Sequence, residues 1–519
     1  MFVSPLPDPA RPGKKVWDND IVYEDGKFYA FFNTGVKSDA NPTGYPDSLD
    51  IATSEDGVHW TFVARDVAAI KGAHAGYGIL KVGEWWYYYP TISEGGQNVR
   101  FAVLRSKDLQ NWERMGEEYD RAPDRSLYHE RWDEMLIMCD EDENGKPVYY
   151  GYISSETRED VGDPGAGMLK SYDGLNWEVL PPVRVEWGET PAQHMELCFV
   201  EKLGGRYYLC LSGRMYMDSF GYCPYIFVGD SPYGPFTPDR EAFRLCGTDR
   251  REVTWLTHTA HTPDGLLAAL WLSHTSRPDI PSDTFSIGSL KKLILDRGHL
   301  RFAYWLGTDA CKGPASPVNT FTPLYPEGAS LTDGRITANR DGVVAALGAS
   351  FDLGKGFVLE GKLRVRESRT HIASHHHAAS AGFLFEQTEG AGRAILAETL
   401  GVTRTGILRY GQEKITDFEP YEHAGYGLAT GRSGQLSGTF SFECEDTVGP
   451  YGHASYCGIR HGVQHTFRLL ARGDYFELYI DDLYVQTFLT PKQFTGRLCV
   501  CVFDGTAEFA DIMVWAMDI

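Results

Sequence analysis

One short phrase, repeated along the first half of the chain, constrains the fold more than any other feature. It reads Ser54-Glu-Asp-Gly-Val-His-Trp60, then Ser106-Lys-Asp-Leu-Gln-Asn-Trp112, then Ser171-Tyr-Asp-Gly-Leu-Asn-Trp177, with a weaker copy at Asp230-Ser-Pro-Tyr-Gly-Pro-Phe236. A recurring unit signals an architecture in which each copy buries its apolar face against the next. Between the copies lie hairpins of one plan: apolar strand, polar turn, aromatic strand. They run from Ile21 to Phe32, Ile79 to Tyr89, Met135 to Tyr152, Phe199 to Leu211 and Ala260 to Leu272. Their turns carry Asp-Gly, Asn-Gly or Gly-Gly, residues that supply the positive φ of tight hairpins, except that the second turns at Val82-Gly83-Glu84. No apolar period of 3.6 residues is sustained before about residue 300. Five such units, roughly 50–65 residues apart, predict five four-stranded blades around one axis. The competing solution for the same strands is one large irregular sandwich.

From Thr308 to Thr332 the chain is rich in Pro, Gly and Ser and reads as a linker or strap. Strand patterns then resume at Val344–Leu353, Phe357–Val365, Phe467–Arg472, Tyr475–Asp481, Tyr484–Leu489, Gly496–Phe503 and Ile512–Ala516. Their alternation suits two packed antiparallel sheets. The expected class is all-β: a five-bladed β-propeller over 1–310, a linker over 311–332 and a β-sandwich over 333–519. The aromatic content of 13% fits, since aromatic side chains pack well on pleated faces.

The formal charge is −22, from 49 basic and 71 acidic residues. That excess repels phosphate backbones and anionic lipid, so nucleic acid and membranes are not expected partners, whereas a small neutral carbohydrate fits. The N-terminal Met-Phe-Val-Ser-Pro has no basic start or apolar core, and ten cysteines stand without a Cys-x-x-Cys pair. Both point to a cytoplasmic protein with reduced thiols, Cys499 and Cys501 included. His371-Ile-Ala-Ser-His-His-His377 lacks the spacing of a tetrahedral site and reads as a solvated loop, so no metal is expected. No phosphate-binding glycine loop sits between a strand and a helix, and no nucleophile elbow is present; no cofactor is expected. The second domain is the surface through which a homo-oligomer would form.

Aligning the hairpins on their first apolar pair places Asp18, Asp133 and Glu196 at one position, three residues upstream, in the first, third and fourth units. The second unit has Gly76 there, and the fifth Thr257 beside His258. Equivalent positions of successive blades ring the axis, so three acids distant in sequence would meet in one pocket. Crowded carboxyls have their pKa values pushed apart, so one can give a proton while another stays ionised. Glycosidic cleavage needs that pairing. Trp17, Asp20, His74, Arg131, Trp132, His194, Arg214, Trp255 and His258 fall near the same rim as candidate sugar contacts, through hydrogen bonds or ring stacking.

Asp18-Asn-Asp-Ile-Val-Tyr-Glu-Asp-Gly-Lys-Phe-Tyr resembles the first-blade motif of the furanosidase-type propellers, glycoside hydrolase families 32, 43, 62 and 68. Arg131-Trp-Asp133 resembles the Arg-Asp-Pro motif of family 32, and Met195-Glu-Leu-Cys198 its Glu-Cys motif. Phe476-Glu-Leu-Tyr-Ile-Asp-Asp, Gly496-Arg-Leu-Cys-Val and Val514-Trp515 resemble that family's C-terminal sandwich, so the likeness covers nearly the whole chain. It implies a nucleophile at Asp18, a transition-state stabiliser at Asp133 and a general acid/base at Glu196. Two departures mark a divergent member: the first blade lacks the Pro of Asn-Asp-Pro-Asn-Gly, and Trp132 splits the Arg-Asp pair. Asp20, two residues on, competes with Asp18 for the nucleophile's role. The implied activity is exo-hydrolysis of short oligosaccharides by a retaining, β-fructofuranosidase-like enzyme. An inverting arabinofuranosidase or β-xylosidase, a fructosyltransferase, a phosphorylase and a non-catalytic sugar-binding propeller are the alternatives. The sandwich is expected to be structural.

Overall fold

In each of three blades the repeated phrase closes the turn between the third and fourth strands, and its side chains show why it recurs. The computed structural model describes residues 15–35, 48–67, 73–74, 78–94, 97–157, 164–188, 192–215, 223–246, 254–273, 285–326, 331–332, 334–338, 342–367, 379–399, 401–411, 432–437, 440–448 and 459–519. Asp56 Oδ1 accepts the N–H groups of Val58 and His59 at 2.8 Å, and Ser54 Oγ accepts that of Gly57 at 2.8 Å. Asp108 and Asp173 do the same for Gln110, Asn111, Leu175 and Asn176. The Trp of each copy donates its indole N–H to a carbonyl of the same turn, at 3.1–3.2 Å. Gly57 and Gly174 supply φ of +72° and +70° there, a conformation that Leu109 adopts in the second copy. The indoles also pack on neighbouring aromatic rings. Trp112 lies edge-on to Phe31 and Tyr88, and Trp177 edge-on to Tyr89 of the preceding blade. The phrase is both a turn lock and a packing element.

The five units form successive antiparallel sheets. Blade one is Lys15–Glu24, Lys27–Gly35, Ser48–Ser54 and Trp60–Ala64. Blade two centres on Ile79–Val82, Trp85–Tyr88, Leu104–Ser106 and Glu113–Arg114. Pro90 interrupts its ladder, having no N–H to give, and Ala73–His74, Thr91–Glu94 and Gln97–Phe101 pair as a separate small sheet. Blade three is Tyr128–Glu141, Pro147–Thr157, Pro164–Ser171 and Glu178–Leu180. Blade four is Ala192–Leu203, Arg206–Met215, Cys223–Gly229 and Thr237–Pro238. Blade five begins Thr254–Thr262, Gly265–Ser273 and Phe285–Asp296, followed by His299–Tyr304. Aromatic cores fill the spaces between blades. Val22, Phe31, Ile51, Trp86 and Tyr88 pack between the first and second, and Leu80, Tyr89, Tyr128, Trp132 and Met135 between the second and third.

The chain divides into two compact units, the first comprising residues 1–243 and 254–300 and the second 244–253 and 301–519. Within the second, an eight-stranded sheet runs from Phe321–Tyr325 through Val343–Leu347, Leu498–Phe503 and Ser380–Thr388 to Thr403–Tyr410 and beyond. Its partner includes Leu483–Leu489, Tyr475–Ile480, Gln464–Arg472, Phe357–Glu367 and Gly505–Met517. Phe383 meets Phe467 at 5.0 Å and Phe385 stacks on Phe476 at 4.8 Å, which marks the core of a sandwich. Cys499 and Cys501 are buried free thiols within this unit, and burial pushes the Cys499 thiol up to about 12.

The expected linker needs correction. Lys312–Pro317 pairs with Gly505–Met517, and Phe321–Tyr325 pairs with Val343–Leu347. Both ladders slip in register, the second between Pro323 and Tyr325, so proline is accommodated at an irregularity and the strands escape pattern recognition. The histidine run 371–377 lies outside the described residues.

Candidate active site

The innermost strands of all five blades line one cavity of about 340 Å³. Residues 20–23, 78–81, 136, 137, 139, 198–201 and 258–261 contribute to it. The first apolar residues of the five aligned hairpins, Ile21, Ile79, Leu136, Phe199 and Ala260, are all among them. The acids singled out from sequence precede these residues on the same strands and are not among those that line the cavity. Bulges interrupt the N-terminal ends of these strands. In blade one, Trp17 and Asp18 together oppose a single residue, between the pairs Val16–Thr34 and Asn19–Phe32. The register also slips between Asp133 and Met135, between Ala192 and His194, and between Thr254 and Thr257. Bulges are common beside active sites because they re-aim side chains.

One of the predicted acids, Glu196, stands beside an arginine of the preceding blade. Arg131 reaches from blade three to blade four, donating from one amino group to the Met195 carbonyl at 2.7 Å and from the other to Glu196 Oε1 at 3.3 Å. Both side chains are 18% exposed, enough shelter to strengthen the pair and enough opening to admit a ligand. Asp133, opposite Ser154 in the ladder, is half-buried on the same strand as Arg131. The backbones of Trp17, Asp18, His74, His194, Arg214 and Trp255 lie on strands, and their side chains are outside the described set. His194 pairs with Arg214 across blade four.

One candidate sits elsewhere than expected. Trp132 is fully buried between blades, 4.8 Å from the Tyr128 ring and 5.8 Å from that of Phe101, with its N–H given to the Arg121 carbonyl. It is a core residue and cannot stack on a sugar. The alternation of the strand turns it inward while its neighbours face out. Asp20 and His258 line the axial cavity. Burial drives the His258 imidazole down to about 3, so it is neutral at ordinary pH. Burial likewise raises the Asp20 carboxyl to about 7, against the pull of backbone N–H groups from Ile79, Ile21 and Gly78.

Asp20 thereby makes stability depend on pH. The native chain keeps this proton up to about pH 7, whereas the unfolded chain releases it near 3.8. The native state binds more protons across that interval, so the stabilisation present below about pH 4 is lost as pH rises through 7. Asp20→Asn keeps an acceptor for the Ile21 N–H and removes the ionisation. Its stability relative to the parent is expected to climb between about pH 5 and pH 8, by on the order of 2–4 kcal/mol, in urea unfolding. A difference that stays flat with pH would refute the assignment.

Sequence reasoning missed Glu134. Strand alternation should turn it away from Asp133, but its φ of +57° and the bulge after Asp133 bring it round. Its carboxylate is buried, accepts the Ser154 hydroxyl at 2.8 Å and stands 4.0 Å from Arg131. Ser154 Oγ in turn accepts the Leu197 N–H at 3.0 Å, one residue after Glu196. Among the described residues no cluster of three or more His, Cys, Asp or Glu is arranged to hold a metal ion, and no helix is long and apolar enough to cross a membrane.

A five-bladed propeller followed by a sandwich defines the structural class, and solved structures match over almost the entire chain. Sucrose-6-phosphate hydrolase from Lactobacillus gasseri superposes with a TM-score of 0.64 at 14% identity, covering 97% of this chain and 91% of that one. The family 32 glycoside hydrolase of Bifidobacterium adolescentis gives 0.60 at 12% identity, covering 97% and 80%. The family 32 β-fructofuranosidase of Bombyx mori gives 0.60 at 13%, covering 97% and 91%. The fold is that of these enzymes. By sequence, a curated xylosidase/arabinosidase of Bacteroides ovatus is 24% identical over 226 residues, 43% of this chain and 55% of that protein's length. No family model matches the sequence.

Proposed function

We propose that the protein is a glycoside hydrolase that removes single sugar units from short oligosaccharides, acting on a furanoside. The carrying observation is the register of Asp18, Asp133 and Glu196 in the sequence, each three residues before the apolar pair of its hairpin, on strands whose later residues line one cavity. In this reading Glu196 gives a proton to the leaving oxygen while Asp18 attacks the anomeric carbon. Asp133 binds ring hydroxyls and steadies the oxocarbenium-like transition state. Water then releases the sugar, with Glu196 returning as base. His194, Arg214, Trp255, Trp17 and His74 are the proposed hydroxyl and ring contacts. The site is proposed to need no metal and no cofactor, and the acidic surface suits a neutral substrate.

The Bacteroides ovatus relative gives weight to a second reading, a pentosidase in which Asp18 activates water and the anomeric configuration inverts. The carboxyl separation distinguishes them, about 5–5.5 Å for retention and about 6.5–9.5 Å for inversion. The deciding assay offers sucrose, short fructo-oligosaccharides, an aryl β-xyloside and an aryl α-arabinofuranoside, with the first anomer formed read by NMR. Monosaccharide release from a fructoside with retention is the expected result. Inversion on a pentoside would install the second reading. Binding without turnover across the panel would make the protein a sugar-binding propeller.

A further inference from the structure

An acid that must donate a proton near neutral pH is poorly served by an arginine alone, because a neighbouring cation holds a carboxyl ionised. Glu196 has such a neighbour in Arg131, at 3.3 Å. The structure supplies a second anion to the same guanidinium. The amino group of Arg131 that meets Glu196 Oε1 is also 4.0 Å from Oε2 of Glu134, so one cation is shared between two carboxylates. Glu134 is the more buried of the two, with a side chain 7% exposed against 18%. It is held there at some conformational cost, since a non-glycine residue at φ +57° persists only where its surroundings enforce it. Those surroundings are specific: Thr91 Oγ1 accepts its N–H at 3.2 Å, and the Ser154 hydroxyl donates to its carboxylate. Through Leu197, Ser154 also fixes the backbone that carries Glu196.

We propose that Glu134 is a positioning residue that offsets the charge of Arg131, leaving Glu196 oriented by the guanidinium yet able to hold a proton. The inference rests on the reading of Glu196 as the general acid/base. Two other ionisable groups described on the packed strands are occupied otherwise or neutral. Glu156 of blade three is engaged by His129 at 3.2 Å, and His258 of blade five is buried and neutral. Asp133 lies on the same strand, between Arg131 and Glu134. His194 and Arg214 flank Glu196 in the backbone of blade four.

The experiment follows the Glu196 carboxyl directly, by its carbon-13 signal in protein labelled at the glutamate side-chain carboxyl and assigned with Glu196→Gln. Glu134→Gln keeps an acceptor for Ser154 and removes only the charge. It is expected to lower the Glu196 titration midpoint by about one pH unit, and Glu134→Asp to leave it close to that of the parent. The alkaline limb of kcat/KM should move down with it, since that limb reports the acid. An unchanged midpoint in folded Glu134→Gln overturns the proposal, as does an equal fall in Glu134→Asp. If Glu134→Gln does not fold, Arg131→Gln tests the same trio: the midpoint must rise, and a fall or no change overturns the idea. A protein showing these shifts while hydrolysing no glycoside keeps this inference and loses the hydrolase reading. Turnover with an unshifted midpoint does the reverse.

Discussion

Glu196→Gln is expected to reduce turnover by about 10²- to 10⁴-fold on substrates whose leaving group needs a proton, the usual contribution of general acid catalysis. Glutamine preserves the size of the side chain and can still accept from Arg131, whose second anchor, the Met195 carbonyl, is untouched. The lost quantity is the transferable proton. A dinitrophenyl glycoside, whose leaving group departs unassisted, should therefore recover most of its first-step rate in the variant. Added azide should restore the second step by attacking the sugar without base help. Steady-state and burst kinetics on a paired set of alkyl and dinitrophenyl glycosides make the comparison. Loss of equal size on both substrates would assign Glu196 to binding, and near-parent rates on both would remove it from the chemistry.

The architecture was largely readable because its causes are local. Asp-Gly, Asn-Gly and Gly-Gly turns set most hairpins, and the Ser-x-Asp phrase caps its own turn with hydrogen bonds two and three residues away. Such contacts are written in consecutive residues. The sandwich strands at Phe357–Glu367 and Tyr475–Ile480 were equally plain from alternation. Lys312–Pro317 and Phe321–Tyr325 were not, because what makes them strands is pairing with partners far along the chain, and proline masks the pattern. At the site the same division holds. Hairpin register picked out Glu196 and nearness to Asp133 picked out Arg131, and the structure brings these two together. Register could not foresee Glu134, since the bulge after Asp133 breaks the period of two on which face assignments rest. The same reasoning misplaced Trp132, where nearness in sequence to Asp133 stood in for nearness in space.

That misplacement yields the largest expected effect on stability. Trp132→Ala should cost about 3–5 kcal/mol of propeller stability, the range for emptying a buried aromatic site. The indole fills the space between the second and third blades, against Tyr128 and Phe101, and satisfies the Arg121 carbonyl at 3.2 Å. Gly167 leaves the room the ring occupies, since a Cβ there would lie 3.3 Å from it, and the neighbouring Tyr128 is itself fixed by hydrogen bonds to Leu180 and Met168, so the gap does not close cheaply. Trp132→Phe should cost less, retaining the aromatic packing and giving up only volume and one hydrogen bond. Urea unfolding followed by propeller aromatic fluorescence measures both, and sugar affinity measured on the folded variants separates packing from recognition. A buried role requires Trp132→Phe to bind sugar as the parent does. A stable Trp132→Ala with weakened sugar binding would instead return the ring to the pocket and take the blade-three register with it.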